Sequence, residues 1–258
     1  MRRGAGATAA AEGRVERYRQ AERTLWNRYD LEPTERFIDL DSPRVRLRVV
    51  EVGSGEPVLF VGGSGGTGPY WGPLVREMPG FRCLMVDRPG WGLSSPIDYS
   101  KHEYRTVVAD VLLGVHNALG LKRTHVVGAS IGNVWALRLG LAQPSRVGRI
   151  VLLGGGPLVA EIRPPTFIRL LASPIGAIIV RLPQKPERLR TILRGLGHGS
   201  SIDSGRMEEH IEWRLAFERH TDSMRNERDM VRAQLNGRDF DRGSHSTTGN
   251  SPRSSNQP

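Results

Sequence analysis

The amino-acid sequence predicts an α/β fold, a mostly parallel β-sheet covered by helices. Strand and helix signals alternate from residue 35 to residue 153. At 258 residues the chain is long enough to bury one large core rather than two small ones. Beyond Gly154 no strand signal returns, and helical patterns alone continue to about Leu235. The sheet is therefore expected in the first part of the chain and a helical block in the second.

The N-terminal helix is read from Val15, Tyr18, Leu25, Trp26 and Tyr29, which fall on one side of it; with a connecting arm it fills residues 1–34. Strands are expected at Glu35–Leu40, Val45–Val52 and Pro57–Val61, where apolar and β-branched residues recur between Gly and Pro punctuation. A short helix at Trp71–Met78 precedes a strand at Phe81–Val86. Val108, Leu112, Val115 and Leu119 form a helical stripe that Gly120 stops. The strand His125–Val127, the helix Ile131–Ala142 and the strand Arg149–Leu153 complete a core at residues 35–156. Helices between successive strands favour parallel pairing. Residues 157–235 read as helices broken at Pro164, Pro165 and Pro183. Residues 236–258 form a polar tail with no Leu, Ile, Val or aromatic after Asp241, expected to be disordered.

A formal net charge of +10 raises the question of a polyanionic partner. Of the 37 basic residues only Lys101, Lys122 and Lys185 are lysine, and the arginines are interleaved with acids along the whole chain. That pattern describes a solvated surface, so no nucleic-acid partner is expected. Cys83, the only cysteine, lies in the apolar run Phe81–Val86 and reads as a small core hydrophobe, with no intrachain disulfide available to it. The stretch Gly4–Ala11 behind Met1-Arg2-Arg3 lacks the apolar core of a signal peptide. The longest apolar stretch, near Phe167–Val180, carries Arg169 and Pro174 and is too short to cross a bilayer. The expectation is a cytoplasmic protein with no integral membrane segment.

Three segments carry chemistry. In Thr124–Gly132 an apolar strand runs into Gly128-Ala129-Ser130-Ile131-Gly132 and then into an apolar helix. A bare G-x-S-x-G match is often a plain turn, but between strand and helix it can lift a serine hydroxyl clear of the backbone. The second segment is Gly62–Gly68, which holds a literal G-x-G-x-x-G at Gly63, Gly65 and Gly68, with Asp87 where a ribose-binding acid would fall. A dinucleotide site, however, needs a long helix whose N-terminus faces the pyrophosphate, and Pro69, Gly72 and Pro73 leave room for about two turns. An NAD(P)-binding oxidoreductase is thus the weaker reading, and it leaves Ser130 unexplained. The third segment, Asp87-Arg88-Pro89-Gly90-Trp91-Gly92-Leu93-Ser94, taken alone, is a tight loop with a packed Trp.

In this order the three segments resemble the α/β-hydrolase family, over roughly Glu35 to Pro157. The resemblance implies a glycine-rich loop after the third strand, a D-x-x-G-x-G-x-S loop after the fourth and a serine elbow after the fifth. It implies Ser130 as nucleophile, with the backbone N–H groups of Ile131 and Ser64 forming an oxyanion hole. The helical block then corresponds to the lid that follows the sixth strand. The implied reaction is hydrolysis of an ester or related acyl bond of a small hydrophobic substrate, with no organic cofactor and no metal. Acyltransferases, carbon–carbon bond hydrolases and perhydrolases share the same elbow and are not distinguished from it.

Gly62 stands where the family often has a histidine, and Asn133 where a third glycine often follows the elbow. The larger departure is that no apolar strand follows Leu235, so the C-terminal strands that supply the family's acid and histidine are missing. The compositional break near Asp241 reads as a frameshift or premature end, and the implied hydrolysis is expected to be impaired by that truncation. A serine hydroxyl needs a base to take its proton. His125 enters the serine strand at the wrong end, while His102 and His116 are assigned to a helix that packs on the sheet. His198, His210 and His220 belong to the helical block and His245 to the tail, so the general base and acid stay unassigned. With those strands absent, Arg149–Leu153 would form an open edge inviting self-association. A non-catalytic homologue that keeps the pocket for a ligand or partner is the alternative.

Overall fold

In the computed structural model, the described residues are 2–154, 166–182 and 184–236. The expected tail falls outside them from residue 237, as do the breaks at Pro164, Pro165 and Pro183. Helix α1 (Arg2–Arg28) leads into strands β1 (Thr34–Asp41), β2 (Arg44–Val52) and β3 (Glu56–Val61). Then come α2 (Gly72–Val75), β4 (Phe81–Val86), α3 (Tyr104–Ala118), β5 (Thr124–Ala129), α4 (Ile131–Ala142) and β6 (Val147–Leu153). The strands form one sheet in the order β1-β2-β4-β3-β5-β6. The β1–β2 and β2–β4 pairs are antiparallel; β4, β3, β5 and β6 run parallel.

Both faces of the central strands are covered, which accounts for their near-continuous apolar sequences. Leu59, Val61, Leu84, Val86 and Val126 face α3 and α4, meeting Val108, Leu112, Val115, Trp135 and Leu139. Their neighbours Val58, Phe60, Cys83, Met85 and Val127 face the other way, against Trp26, Trp71 and Val75. A side chain the size of Phe60, which is fully buried, contributes roughly 1.5–3 kcal/mol by leaving water. Cys83 is one such packing residue, and burial pushes its thiol up to about 11.

Two local expectations need correction. The helix expected at Trp71–Met78 is a 3-10 turn at Gly68–Trp71 followed by the single-turn α2, because prolines at 69 and 73 start each piece and neither can be extended backwards. His102 is not in the helix that packs on the sheet: Glu103 caps α3, its carboxylate accepting from the N–H groups of Arg105 and Thr106 at 3.0 and 2.6 Å, so His102 lies outside the helix and is exposed.

After β6 the described chain is helical: α5 (Thr166–Ala172), α6 (Pro174–Ile179), α7 (Pro186–Leu193), α8 (Gly199–Asp203), α9 (Glu208–His220) and α10 (Ser223–Asn236). Trp213, Phe217 and Met230 join this block to the main core, where Phe217 meets Tyr18 of α1 at 6.3 Å between ring centroids. No described helix is long and apolar enough to cross a membrane. Strand β6 is an edge: among the described residues nothing pairs with its outer side, and Val151, Leu152 and Leu153 are 47%, 39% and 38% exposed.

Candidate active site

Ser130 joins β5 to α4 at φ 52° and ψ −120°, a left-handed backbone that costs a non-glycine residue on the order of 1–3 kcal/mol. The glycines around it are fixed by close approach. A Cβ on Gly128 would lie 2.7 Å from the carbonyl oxygen of Gly132, and one on Gly132 would lie 2.0 Å from that of Val61. The elbow is thus pressed onto β3, and the Ser130 residue stands exposed at the C-terminal end of the parallel strands. Its N–H donates to the Leu153 carbonyl at 3.1 Å. Asn133, fully buried, donates to the carbonyls of Leu153 and Gly154 at 3.3 and 3.2 Å, so the position where a glycine is common in the family instead ties the elbow to the end of β6.

The loop after β3 passes directly beside the serine. A Cβ built on Gly63 would lie 2.9 Å from Ser130 Cβ and 3.6 Å from Ser130 Oγ. At Gly62 a Cβ would meet the Gly66 carbonyl oxygen at 2.2 Å: the loop folds into the space that a side chain there would need. A Gly66 N–H to Gly63 carbonyl bond of 3.0 Å closes that turn. The Ser64 N–H has no partner among the described residues, and the Ile131 N–H, first in α4, has no intrahelical acceptor.

Four segments hold this loop in place. From below, Arg88 donates to the Gly63 carbonyl at 2.9 Å while its buried guanidinium stacks on Trp91 at 3.9 Å. From α10, the buried Glu227 accepts from Ser64 Oγ and lies 3.8 Å from Arg88 Nη2. From α9, Arg214 lies across Gly65 and donates to the Ser64 carbonyl at 3.3 Å. On the far side, the Tyr18 hydroxyl of α1 bonds Thr67 Oγ1 at 2.9 Å. Arg88 and Glu227 were not singled out from the sequence. The available signal was a lone cation in a Gly/Pro/Trp turn leaving a strand; its acidic partner is 139 positions away and has no local mark.

Asp87 does not serve a ribose. It is fully buried at the end of β4, accepts from Arg48 Nη1 and the Leu93 N–H, both at 3.3 Å, and leaves no room for a side chain at Gly92, where a Cβ would lie 2.2 Å from its Oδ2. Arg48 also donates to Glu22 at 2.7 and 2.9 Å and to Glu35 at 2.7 Å. Desolvation raises Asp87 to about 6, with the Arg48 charge opposing that rise. The long helix that a dinucleotide would require after the glycine loop is also absent, since α2 is one turn.

The histidines are distributed as structural groups. His116 is buried, bonded at 2.8 Å to both the Leu112 carbonyl and Thr124 Oγ1, and burial lowers its pKa. His125, at the start of β5 and therefore the end of the sheet opposite Ser130, bonds Glu56 and accepts from the Arg149 N–H, each at 2.8 Å. Burial lowers His210 to about 4, with help from Arg214. None of the described histidines is bonded to Ser130, and His245 lies outside the described residues.

A mostly parallel sheet in this order, with a left-handed serine at the end of β5 beside a glycine-rich turn, defines an α/β protein built around a serine elbow. The chain belongs to the α/β-hydrolase fold family, whose model matches residues 56–189. It is 30% identical over 201 residues to the 2-hydroxy-6-oxononadienedioate/2-hydroxy-6-oxononatrienedioate hydrolase of Cupriavidus pinatubonensis, a match covering 74% of this chain and 68% of that protein. A hydrolase of the same description from Dechloromonas aromatica is 37% identical over 124 residues, 46% of this chain and 42% of its own length. The chain thus spans about two thirds of the first relative and less than half of the second. Among solved structures, a putative epoxide hydrolase from Pseudomonas aeruginosa superposes with a TM-score of 0.60 at 25% identity, covering 80% of this chain and 72% of that one.

Proposed function

We propose that the chain carries a hydrolase site in which Ser130 Oγ adds to a substrate carbonyl carbon. The observation that carries this reading is the serine held at φ 52° with the backbone of Gly63 against it. As the new C–O bond forms, the Ser130 hydroxyl gives up its proton to a base in the solvent, since no described histidine is bonded to it, and the carbonyl electron pair moves onto oxygen. The N–H groups of Ser64 and Ile131 are the donors offered to that oxyanion. Its collapse expels either an alkoxide, as from an ester, or a stabilised carbanion, as from a carbon–carbon bond beside a ketone.

Two relatives at 30% and 37% identity carry names describing hydrolysis of a 2-hydroxy-6-oxononadienedioate or 2-hydroxy-6-oxononatrienedioate. They favour a substrate of the second kind, an unsaturated keto acid, over the simple ester implied by the serine motif alone. The acyl carbon is the same electrophile in both.

The test is boron-11 NMR with phenylboronic acid, whose boron becomes tetrahedral on taking a serine oxygen. The expected result is a tetrahedral adduct in the wild-type chain that Ser130→Ala abolishes and a 2-hydroxy-6-oxo dienoate displaces. Only trigonal boron in the wild type would refute the site; an adduct that the keto acid leaves untouched would refute the substrate class.

A further inference from the structure

A cleft of about 410 Å³ opens in the helical block, between α1, α6, α9 and α10, a size suited to a small organic ligand. Arg14, Arg181, Arg188, Arg214, Arg219 and Arg225 all line it. Against these six guanidinium groups stand two carboxylates, Glu218 and Asp222. Glu218 is taken by Arg214 at 2.9 Å, and Asp222 is shared by Arg225 at 3.6 Å and Arg14 at 3.9 Å. Arg219 donates to the Gln184 carbonyl at 2.9 Å. The guanidinium groups of Arg181 and Arg188 have no ion pair or hydrogen bond among the described residues. Cations crowded into one concavity repel one another unless an anion joins them.

The remaining wall is apolar. Leu171, Ile179, Leu182 and Met224 line the same cleft, and Leu182 is 61% exposed. Forked guanidinium donors beside a bare aliphatic wall suit a ligand with an anionic head and a hydrocarbon body. We infer that this cleft binds a small anionic amphiphile, an alkyl or acyl chain bearing a phosphate or carboxylate, with its head on Arg181 and Arg188. The inference does not rest on Ser130, which does not line the cleft.

The experiment is isothermal titration of the whole chain with dodecyl phosphate below its micelle concentration. Dodecyl maltoside, inorganic phosphate and phosphatidylglycerol-containing vesicles serve as comparisons. Saturable binding of dodecyl phosphate is expected, weakened at least about tenfold in Arg181→Ala/Arg188→Ala and falling steeply as salt is raised to about 0.5 M. The charge-keeping Arg181→Lys/Arg188→Lys pair should fall between, which separates a lost head-group site from a misfolded chain. Ser130→Ala should bind as the wild type does, so failure here and failure of the hydrolase site are told apart. Equal affinity for dodecyl maltoside, equal affinity for inorganic phosphate, an unchanged alanine double variant, or binding seen only with vesicles would each overturn the inference.

Discussion

At the elbow, one requirement is met by three residues: Gly63, Gly128 and Gly132 vacate the space that lets Ser130 keep a left-handed backbone against β3. Gly132→Ala would put a Cβ 2.0 Å from the Val61 carbonyl oxygen, so a loss of roughly 1–3 kcal/mol or more is expected in urea unfolding; an unchanged midpoint would show that the elbow can move away from β3. Asp87 gives a prediction with a definite sign. Its carboxyl is raised to about 6 in the fold, above the roughly 3.9 of an unfolded chain, so the stability it contributes is fully present below pH 4 and is lost as pH rises through 6. The melting temperature of the wild type should therefore fall between about pH 4 and pH 7 relative to that of Asp87→Asn. Parallel curves for the two proteins would contradict it. The elbow was legible in the sequence because its glycines and serine are contiguous. The clamp of Arg88 and Glu227 was not, because a buried acid on α10 has the same one-letter context as a solvated one.

The elements that flank the site are bound together by Arg48 of β2, which reaches Glu22 on α1, Glu35 on β1 and Asp87 at the end of β4. Arg48 and Glu22 are both nearly inaccessible to water. Arg48→Ala should cost roughly 3–5 kcal/mol, because it leaves two carboxylates buried without a counter-charge, whereas removal of the exposed pair between Arg23 and Glu16 should be close to neutral. Comparable losses in chemical denaturation for both would refute the role given to Arg48. The apolar stripe of α1 was readable from Tyr18, Leu25 and Trp26, all now buried. Its ion pair was hidden, since Glu22 sits among charged neighbours that do face water. Strand ends were read short at β5 and β6, where Thr124 pairs with Val147 and Gly148 continues the strand without any apolar alternation to announce them.

At the scale of the molecule, the alternation of strands and helices predicted the sheet, and the three glycine-containing loops fall after β3, β4 and β5 as the family resemblance required. The strand order could not be read from periodicity, which does not say which strands are neighbours. The exposed outer side of β6 leads to a further expectation: light scattering should show concentration-dependent self-association, reduced by Val151→Lys. A monodisperse monomer at high concentration would remove that edge as an interface. The central claim, that Ser130 is the attacking atom of a hydrolase site, is tested most directly by fluorophosphonate labelling followed by peptide mass spectrometry. One adduct per chain on the peptide holding Ser130, absent in Ser130→Ala, is the predicted result. An adduct on another residue, or one that survives the substitution, would contradict it.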